Sequence, residues 1–199
     1  LLSRIENGQY TESEDVSVDE ILENLLPDLM DIYEHKQVRL LRKQGEQPFI
    51  IRCNHSLAQI LVSNLVKNAL LHNADGGELQ ILTTPDSLVI KNTGDTPLDG
   101  EKLFRRFYHS IDGKKDSTGL GLAIARSIAR ISFLRLTYEW QDGMHCFLLV
   151  KENKIGILRV GNANYISLTD LAKYQNSSDP SFTVKNWLRR INTIDYIGL

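Results

Sequence analysis

The sequence is poor in cysteine and has no long apolar run, and each of these features excludes a class of protein. Its 199 residues include two cysteines, Cys53 and Cys146, which are too few for a disulfide framework and do not stand at metal-ligand spacing. No apolar run approaches the roughly 18 residues of a membrane-spanning helix. No secretory signal peptide is present. The simplest interpretation is a reduced, cytoplasmic setting.

Repeats and low-complexity stretches are also absent, and the charge is nearly balanced. The net charge is −2. Residues 153–199 carry six Lys/Arg against three Asp/Glu, whereas the rest of the chain is acidic. Because the chain starts at Leu1 and not at a methionine, we expect a fragment of a longer protein.

Apolar periodicity, capping residues and turn signals predict the order of elements. Helices are predicted at 19–36, 55–72, 100–108 and 121–131, after the end of a helix within 1–10. Extended segments are predicted at 15–18, 38–41, 49–53, 78–84, 87–91, 134–140 and 145–151. Tight turns join several of the strands, which favours a mixed or antiparallel sheet. We therefore predict an α+β fold, a two-layer α/β sandwich with helices on one face of the sheet.

Two asparagines interrupt the apolar pattern of the helix at 55–72. Asn64 and Asn68 stand four residues apart and are predicted to project into the middle of an apolar stripe. The stripe consists of Leu57, Ile60, Leu61, Leu65 and Leu71. A buried amide without a partner costs about 1–3 kcal/mol. The two side chains therefore require either a neighbouring protein loop or a ligand, such as Mg²⁺, which an asparagine oxygen can bind.

Three further segments could complete a ligand site. Asn92-Thr93-Gly94 offers a polar side chain at a sheet edge and a glycine that lets the backbone pass close to a flat ligand, although alone it is only a turn. Thr118-Gly119-Leu120-Gly121-Leu122 opens a helix whose N–H groups and dipole attract an anion, but it is neither a dinucleotide fingerprint nor a P-loop. Phe104-Arg-Arg-Phe107-Tyr108 supplies an aromatic and basic edge, or simply a core-facing helix with solvated arginines.

In this order and spacing, the segments resemble the ATP-binding domain of bacterial sensor histidine kinases, in the GHKL group that includes gyrase and mismatch-repair ATPases. The matching segments are an asparagine box at 64–69, a first glycine box at 91–94, a phenylalanine box at 103–108 and a second glycine box at 117–125. The resemblance covers about residues 1–152 and implies the Bergerat-type ATP-binding fold. It assigns 1–12 to the end of a dimerisation and phosphoacceptor hairpin and 13–152 to the ATP-binding domain.

The resemblance also implies roles for single residues and a cofactor pair, ATP and Mg²⁺. Asn68, with Asn64, would hold Mg²⁺ and the phosphates. The ring of His72 would lie against the adenine, Asn92 would meet the adenine amino group, and Gly94 would let the backbone approach the base.

The loop at 108–118 resembles the ATP lid. It would bring Lys114 or Lys115 towards the γ-phosphate. The residues that would shape the lid and the phosphate-facing start of the next helix are Thr118, Gly119, Leu120 and Gly121.

Two departures from the family pattern matter. Asn92 stands where the family usually has aspartate; it can accept a hydrogen bond from an amino group but lacks the charge. The family's phosphoacceptor histidine, with an acidic residue after it, has no counterpart at His35, His55, His109 or His145. We therefore predict a chain that binds ATP without phosphorylating itself. Its expected partners are a histidine-containing dimerisation domain and a response regulator, and the chain itself is expected to be a monomer that makes no membrane contact, with any anchor of the parent kinase lying upstream.

Residues 153–199 resemble the start of a KilA-N domain, a DNA-binding module of phage and large-virus regulators. Ser167 and Asp170 make a capping signal, and Asp179-Pro180 starts a second helix. The expectation is a small, incomplete α/β module. Its basic side chains could contact a phosphate backbone weakly, although ordinary solvated charges are the preferred interpretation; they are Lys173, Lys185, Arg189 and Arg190.

Three functions stay open on the sequence alone. The leading one is the catalytic, ATP-binding domain of a two-component histidine kinase. The second is a DNA-binding regulator that acts through the tail and keeps a degenerate nucleotide fold. The third is a pseudokinase that binds ATP without transferring phosphate.

Overall fold

A computed structural model of the chain describes residues 2–6, 10, 12–108, 119–151, 157–160 and 163–166. The chain divides into two compact units, Leu1–Lys151 and Glu152–Leu199. In the second unit, two short strands pair antiparallel: β8 (Ile157–Val160) and β9 (Ala163–Ile166). The two helices predicted for the KilA-N-like tail lie outside the described residues, so the identity of this module stays a prediction.

The first unit interleaves helices and strands. Its helices are α1 (Leu2–Glu6), α2 (Val18–Ile32), α3 (His55–Leu71) and α4 (Gly121–Ile131), with a 3₁₀ turn at Glu34–Lys36. Its strands are β1 (Glu14–Ser17), β2 (Arg39–Gln44), β3 (Ile50–Cys53), β4 (Glu78–Thr84), β5 (Ser87–Thr93), β6 (Leu134–Gln141) and β7 (Met144–Lys151). No helix in the described part of the chain is long and apolar enough to span a membrane.

A five-stranded mixed sheet forms one layer and the helices form the other. The strand order is β2-β4-β5-β7-β6, in which β2 runs parallel to β4 and the other neighbours are antiparallel. Burial alternates along β4, β5 and β7, so that one sheet face is buried in the core while the other keeps partial exposure. This arrangement confirms the predicted α+β two-layer sandwich.

Side-chain caps explain where the two long helices begin. The Ser17 hydroxyl accepts a hydrogen bond from the Glu20 N–H at 3.2 Å, and the side-chain Oδ1 of Asn54 accepts one from the Leu57 N–H at 3.3 Å. Pro27 lies on the exposed side of α2, where the carbonyl that loses its partner can meet water.

Some predicted elements differ from the observed ones. The predicted helix at 100–108 is wrong: this segment is a series of turns in which the Lys102 and Leu103 N–H groups both donate to the Asp99 carbonyl. Phe107 has a φ of 60°, and its N–H donates to the Gly119 carbonyl, which removes it from any helical path. The strand predicted at 38–41 runs instead from Arg39 to Gln44, and β3 pairs with β1 outside the main sheet.

Candidate functional site

The paired asparagines of α3 lie at the edge of its buried face. Asn64 and Asn68 are half-buried, and within the described part of the chain neither side-chain amide makes a hydrogen bond. The prediction that they stand in the middle of the buried stripe is therefore wrong. Ile60 and Leu71, which were counted as part of that stripe, are also only half-buried, so the buried face of the helix lies to one side of the asparagines. The buried face consists of Leu57, Ala58, Leu61, Val62, Leu65, Val66, Ala69 and Leu70. The two amides are thus available to a ligand.

The start of α4 lies against Asn64. A Cβ at Gly121 would stand 3.2 Å from the Asn64 Oδ1. Leu120 occupies the N-cap position, so that among the residues the structure describes no side chain caps the first helical N–H groups. These N–H groups and the helix dipole make this end of α4 suitable for an anion.

Gly119 has a backbone requirement of its own. Its φ is 64°, and a Cβ at this position would come within 2.8 Å of the Phe107 Cα. The Gly119 carbonyl accepts the hydrogen bond of the Phe107 N–H at 2.9 Å, which joins the two segments predicted as the phenylalanine and second glycine boxes. Thr118, Lys114 and Lys115 lie outside the described residues, so their predicted roles stay predictions.

In the segment predicted as the phenylalanine box, the first two side chains are buried, the next three are exposed and that of Tyr108 is half-buried. Leu103 and Phe104 belong to the core, and the guanidinium of Arg126 lies 5.0 Å from the centre of the Phe104 ring. Phe107 is 69% exposed. The predicted aromatic edge therefore loses Phe104, which packs inward, and keeps the exposed Phe107 and the half-buried Tyr108.

Asn92 is tied to the end of α3. It lies on β5, not after it, and is 1% exposed. Its Nδ2 donates to the His72 carbonyl at 3.5 Å and to the Thr93 carbonyl at 3.2 Å. Neither contact uses Oδ1, so this oxygen remains as an acceptor. The structure thus brings together Asn92 and His72, the two residues assigned to the adenine.

Position 94 must be a glycine because the side chain of His145 occupies the space that a Cβ would need. A Cβ at Gly94 would overlap the imidazole ring of His145, and the Gly94 N–H donates to the Gly143 carbonyl at 3.1 Å. The close approach predicted here for a flat ligand is therefore made by His145.

Sequence reasoning missed a cluster of rings beside Gly94. His145 is 6% exposed, and its ring centre lies 4.9 Å from that of Trp140 and 5.9 Å from that of Tyr138. The signal was present in the sequence, because strand alternation around the Asp142-Gly143 turn places these side chains on one face. Burial lowers the pKa of His145, against the opposing field of Asp95.

A buried lysine holds the other side of the α3 terminus. The Lys36 Nζ donates to the Leu71 carbonyl at 2.7 Å and to the Asn73 carbonyl at 2.9 Å, which places a cation at the negative end of the helix. Asn73 is itself buried and donates to the Glu78 carbonyl at 3.1 Å. The sequence analysis did not predict a role for this lysine.

A groove of about 580 Å³ lies between α2 and α3. It reaches Asn64 but not Asn68, Asn92 or Gly121. It therefore touches the candidate site only at one side chain.

Both free cysteines are unsuited to nucleophilic roles, because burial raises the pKa of the Cys53 and Cys146 thiols.

The side-chain oxygens at this site suit Mg²⁺ that is bound together with a nucleotide. No cluster of three or more His, Cys, Asp or Glu side chains able to hold a metal occurs among the described residues. Mg²⁺ bound with a nucleotide needs only one or two protein oxygens, since phosphates and water supply the others. The half-buried amides of Asn64, beside the start of α4, and of Asn68, one turn further along α3, meet that requirement.

Comparison with known proteins shows the family. The model of the histidine kinase-, DNA gyrase B- and HSP90-like ATPases matches residues 54–154, about half of the chain. The sensor histidine kinase TrcS of Mycobacterium tuberculosis is 30% identical over 161 residues, which cover 74% of this chain and 31% of that protein. The sensor histidine kinase RppB of Synechocystis is 31% identical over 140 residues, covering 64% and 30%. The chain thus spans under a third of the length of these relatives.

Solved structures show the same fold. The mycobacterial sensor histidine kinase MprB superimposes with a TM-score of 0.60 at 21% identity, covering 70% of this chain and 97% of that chain. The Acinetobacter baumannii histidine kinase AdeS gives a TM-score of 0.61 at 21% identity, covering 77% and 74%. The first unit therefore has the fold of a GHKL histidine kinase catalytic domain, and the chain belongs to the family of histidine kinase-, DNA gyrase B- and HSP90-like ATPases.

Proposed function

We propose that this chain binds Mg²⁺-ATP and positions it for phosphoryl transfer to a histidine on a separate helical domain. The observation that carries this proposal is the meeting of Asn64 with the uncapped start of α4 at Gly121. One asparagine oxygen thus lies beside the first N–H groups of α4, and these are the kinds of group that Mg²⁺ and phosphate require.

Each end of the nucleotide would have its own set of residues. Asn68, with Asn64, would ligate Mg²⁺, and Gly119, Leu120 and Gly121 would present the backbone to the phosphates. At the other end, the Oδ1 of Asn92 would accept a hydrogen bond from the adenine amino group, beside the ring of His72. Gly94 would support Asn92 indirectly, by admitting the ring of His145.

The chemistry asked of these residues is positioning and charge stabilisation. Bound Mg²⁺ would neutralise the phosphate charge during transfer. The residues of this chain would orient the nucleotide. The attacking imidazole would come from a histidine-containing dimerisation domain, and a response regulator would receive the phosphoryl group. Detection of stable phosphohistidine on this chain after incubation with ATP would contradict this division of roles.

Calorimetric titration with ATP, with and without Mg²⁺, tests the proposal. We expect Mg²⁺-dependent binding that is lost in Asn68→Ala, because the variant removes the metal-ligating oxygen. Gln59→Ala, on the exposed side of the same helix, is the matched control and should bind as the parent does. Equal affinities of Asn68→Ala and the parent would show the metal assignment to be wrong.

A further inference from the structure

A row of side chains crosses the buried sheet face beside the proposed adenine site. Leu79, Asn92, His145 and Trp140 are aligned on adjacent strands β4, β5, β7 and β6. Asn92 and His145 are therefore direct cross-strand neighbours on the same face. The Trp140 and His145 rings are in contact, with their centres 4.9 Å apart.

A chain of hydrogen bonds connects this row to the loop after β5. The Leu98 N–H donates to the Tyr138 hydroxyl oxygen at 2.9 Å, and this oxygen lies 3.0 Å from the His145 Nδ1. The hydroxyl oxygen accepts from Leu98, and we assign its own proton to a hydrogen bond with Nδ1. In this assignment the imidazole is neutral and carries its proton on Nε2, the ring atom nearest Gly94.

The ring of His145 thus supports both ends of one segment. At the start of the segment it contacts Gly94, two residues after Asn92. At the far end it holds Leu98 through Tyr138. The titratable groups facing the ring are Tyr138 on β6 and Asp95 in the segment itself. A shift of this ring would therefore move the backbone that carries Asn92.

We propose that His145, held by the Tyr138 hydroxyl, is a positioning residue that sets segment 92–98 for recognition of the adenine base. The proposal rests on the proposed function above, since it requires that Asn92 face the base. It adds that affinity for the base depends on a neutral imidazole that does not itself touch the nucleotide.

The direction of the pH dependence follows from burial. The pKa of His145 is lowered from its ordinary value of 6.5, so the folded state favours the neutral ring. The supporting contact is complete above pH 6.5 and is lost as the pH falls through the lowered pKa. Protonation places a proton on Nδ1, which then can no longer accept from the Tyr138 hydroxyl.

Four variants of the chain test the proposal by calorimetry with Mg²⁺-ATP and Mg²⁺-ADP. Tyr138→Phe should weaken both ligands equally, by about 2- to 10-fold at pH 7.5, the loss expected for one hydrogen bond. His145→Leu should weaken binding more than His145→Asn, since the asparagine oxygen can replace Nδ1 as an acceptor. Tyr10→Phe, at a partly buried tyrosine elsewhere on the core, is the control and should bind as the parent does.

The pH profile separates positioning from general stability. The ratio of the dissociation constant of His145→Asn to that of the parent cancels the ligand's own protonation. We expect this ratio to fall towards one as the pH is lowered from 7.5 through the lowered pKa of His145, while melting temperatures confirm that each variant stays folded. Suppose that the parent binds ATP and that this binding depends on Asn68. A constant ratio, together with unchanged binding by Tyr138→Phe, would then overturn the role of His145 and leave the proposed function standing. Failure of the parent to bind ATP would overturn both this inference and the proposed function.

Discussion

At the scale of single residues, Asn92 shows why an amide suits a position at which the family resemblance leads us to expect a carboxylate. Its Nδ2 faces two carbonyl oxygens, those of His72 and Thr93, from a site that is almost completely buried. A carboxylate has no proton to donate to either oxygen. The lost negative charge is thus accompanied by a gain in contacts with the end of α3.

Asn92→Asp should therefore destabilise this chain, even though it restores the usual family residue. Removal of a buried donor that faces two carbonyls is expected to lower the free energy of unfolding by about 1–3 kcal/mol. Urea unfolding at pH 7.5 measures the effect. Asn24→Asp, at an exposed position of α2, is the control and should change the stability little. Equal stability of Asn92→Asp and the parent would contradict the assigned direction of these hydrogen bonds.

At the scale of elements, α3 is held at both ends by side chains from outside the helix. Asn54 caps its first turn, and Lys36 reaches from the 3₁₀ turn to the last carbonyls. Because Asn68 and His72 lie in the last turn and at the C-cap, the contact with Lys36 also fixes residues assigned to both ends of the nucleotide. The helix end is thus both a structural junction and part of the candidate site.

Lys36→Met should weaken that junction while keeping the apolar stem. The Leu71 and Asn73 carbonyls would lose their charged donor, and the expected loss in free energy of unfolding is about 1–3 kcal/mol. Chemical denaturation measures it, and hydrogen exchange of the His72 and Asn73 amides reports whether the helix end opens. Lys43→Met, on the exposed surface of β2, serves as the comparison. Unchanged exchange at both amides would argue against this role.

At the scale of the whole first unit, Asp19 joins the helical layer to the sheet. From the first turn of α2, its carboxylate accepts hydrogen bonds from the Phe49 N–H at 2.8 Å and from the Thr83 hydroxyl at 2.6 Å. The guanidinium of Arg42 lies 3.7 Å from the same carboxylate. One buried charge therefore connects α2 with β2, with β4 and with the residue that precedes β3.

Asp19→Ala should consequently destabilise the unit strongly. The change removes the acceptor of two buried donors and leaves the Arg42 side chain without this partner, so we expect the free energy of unfolding to fall by about 3–5 kcal/mol. Thermal and urea unfolding measure the loss. Asp28→Ala, on the exposed side of α2, keeps the same chemical change at a solvated position and should cost little. Comparable losses in the two variants would show that the network does not join the layers.

Local patterns in the sequence were sufficient for most elements and for the family. Alternation of apolar residues predicted β4, β5, β6 and β7 to within a few residues, because the period of a half-buried strand is local information. The spacing of the asparagine and glycine segments likewise predicted the family that the comparisons show. The helix at 100–108 was also predicted from a local pattern, and this prediction was wrong. There the hydrogen bond from the Phe107 N–H to the Gly119 carbonyl, twelve residues away, determined the backbone.

The sequence by itself determined the order of elements, the two-layer fold and the identity of the residues proposed to bind the nucleotide. Only the tertiary structure placed Asn64 and Asn68 at the edge of the buried face of α3, because that edge depends on which neighbours cover the helix. It also brought Lys36 to the end of α3 and His145 against Gly94. These contacts join residues that are distant in the chain, and their geometry follows from the packing of helices on the sheet, which no local pattern specifies.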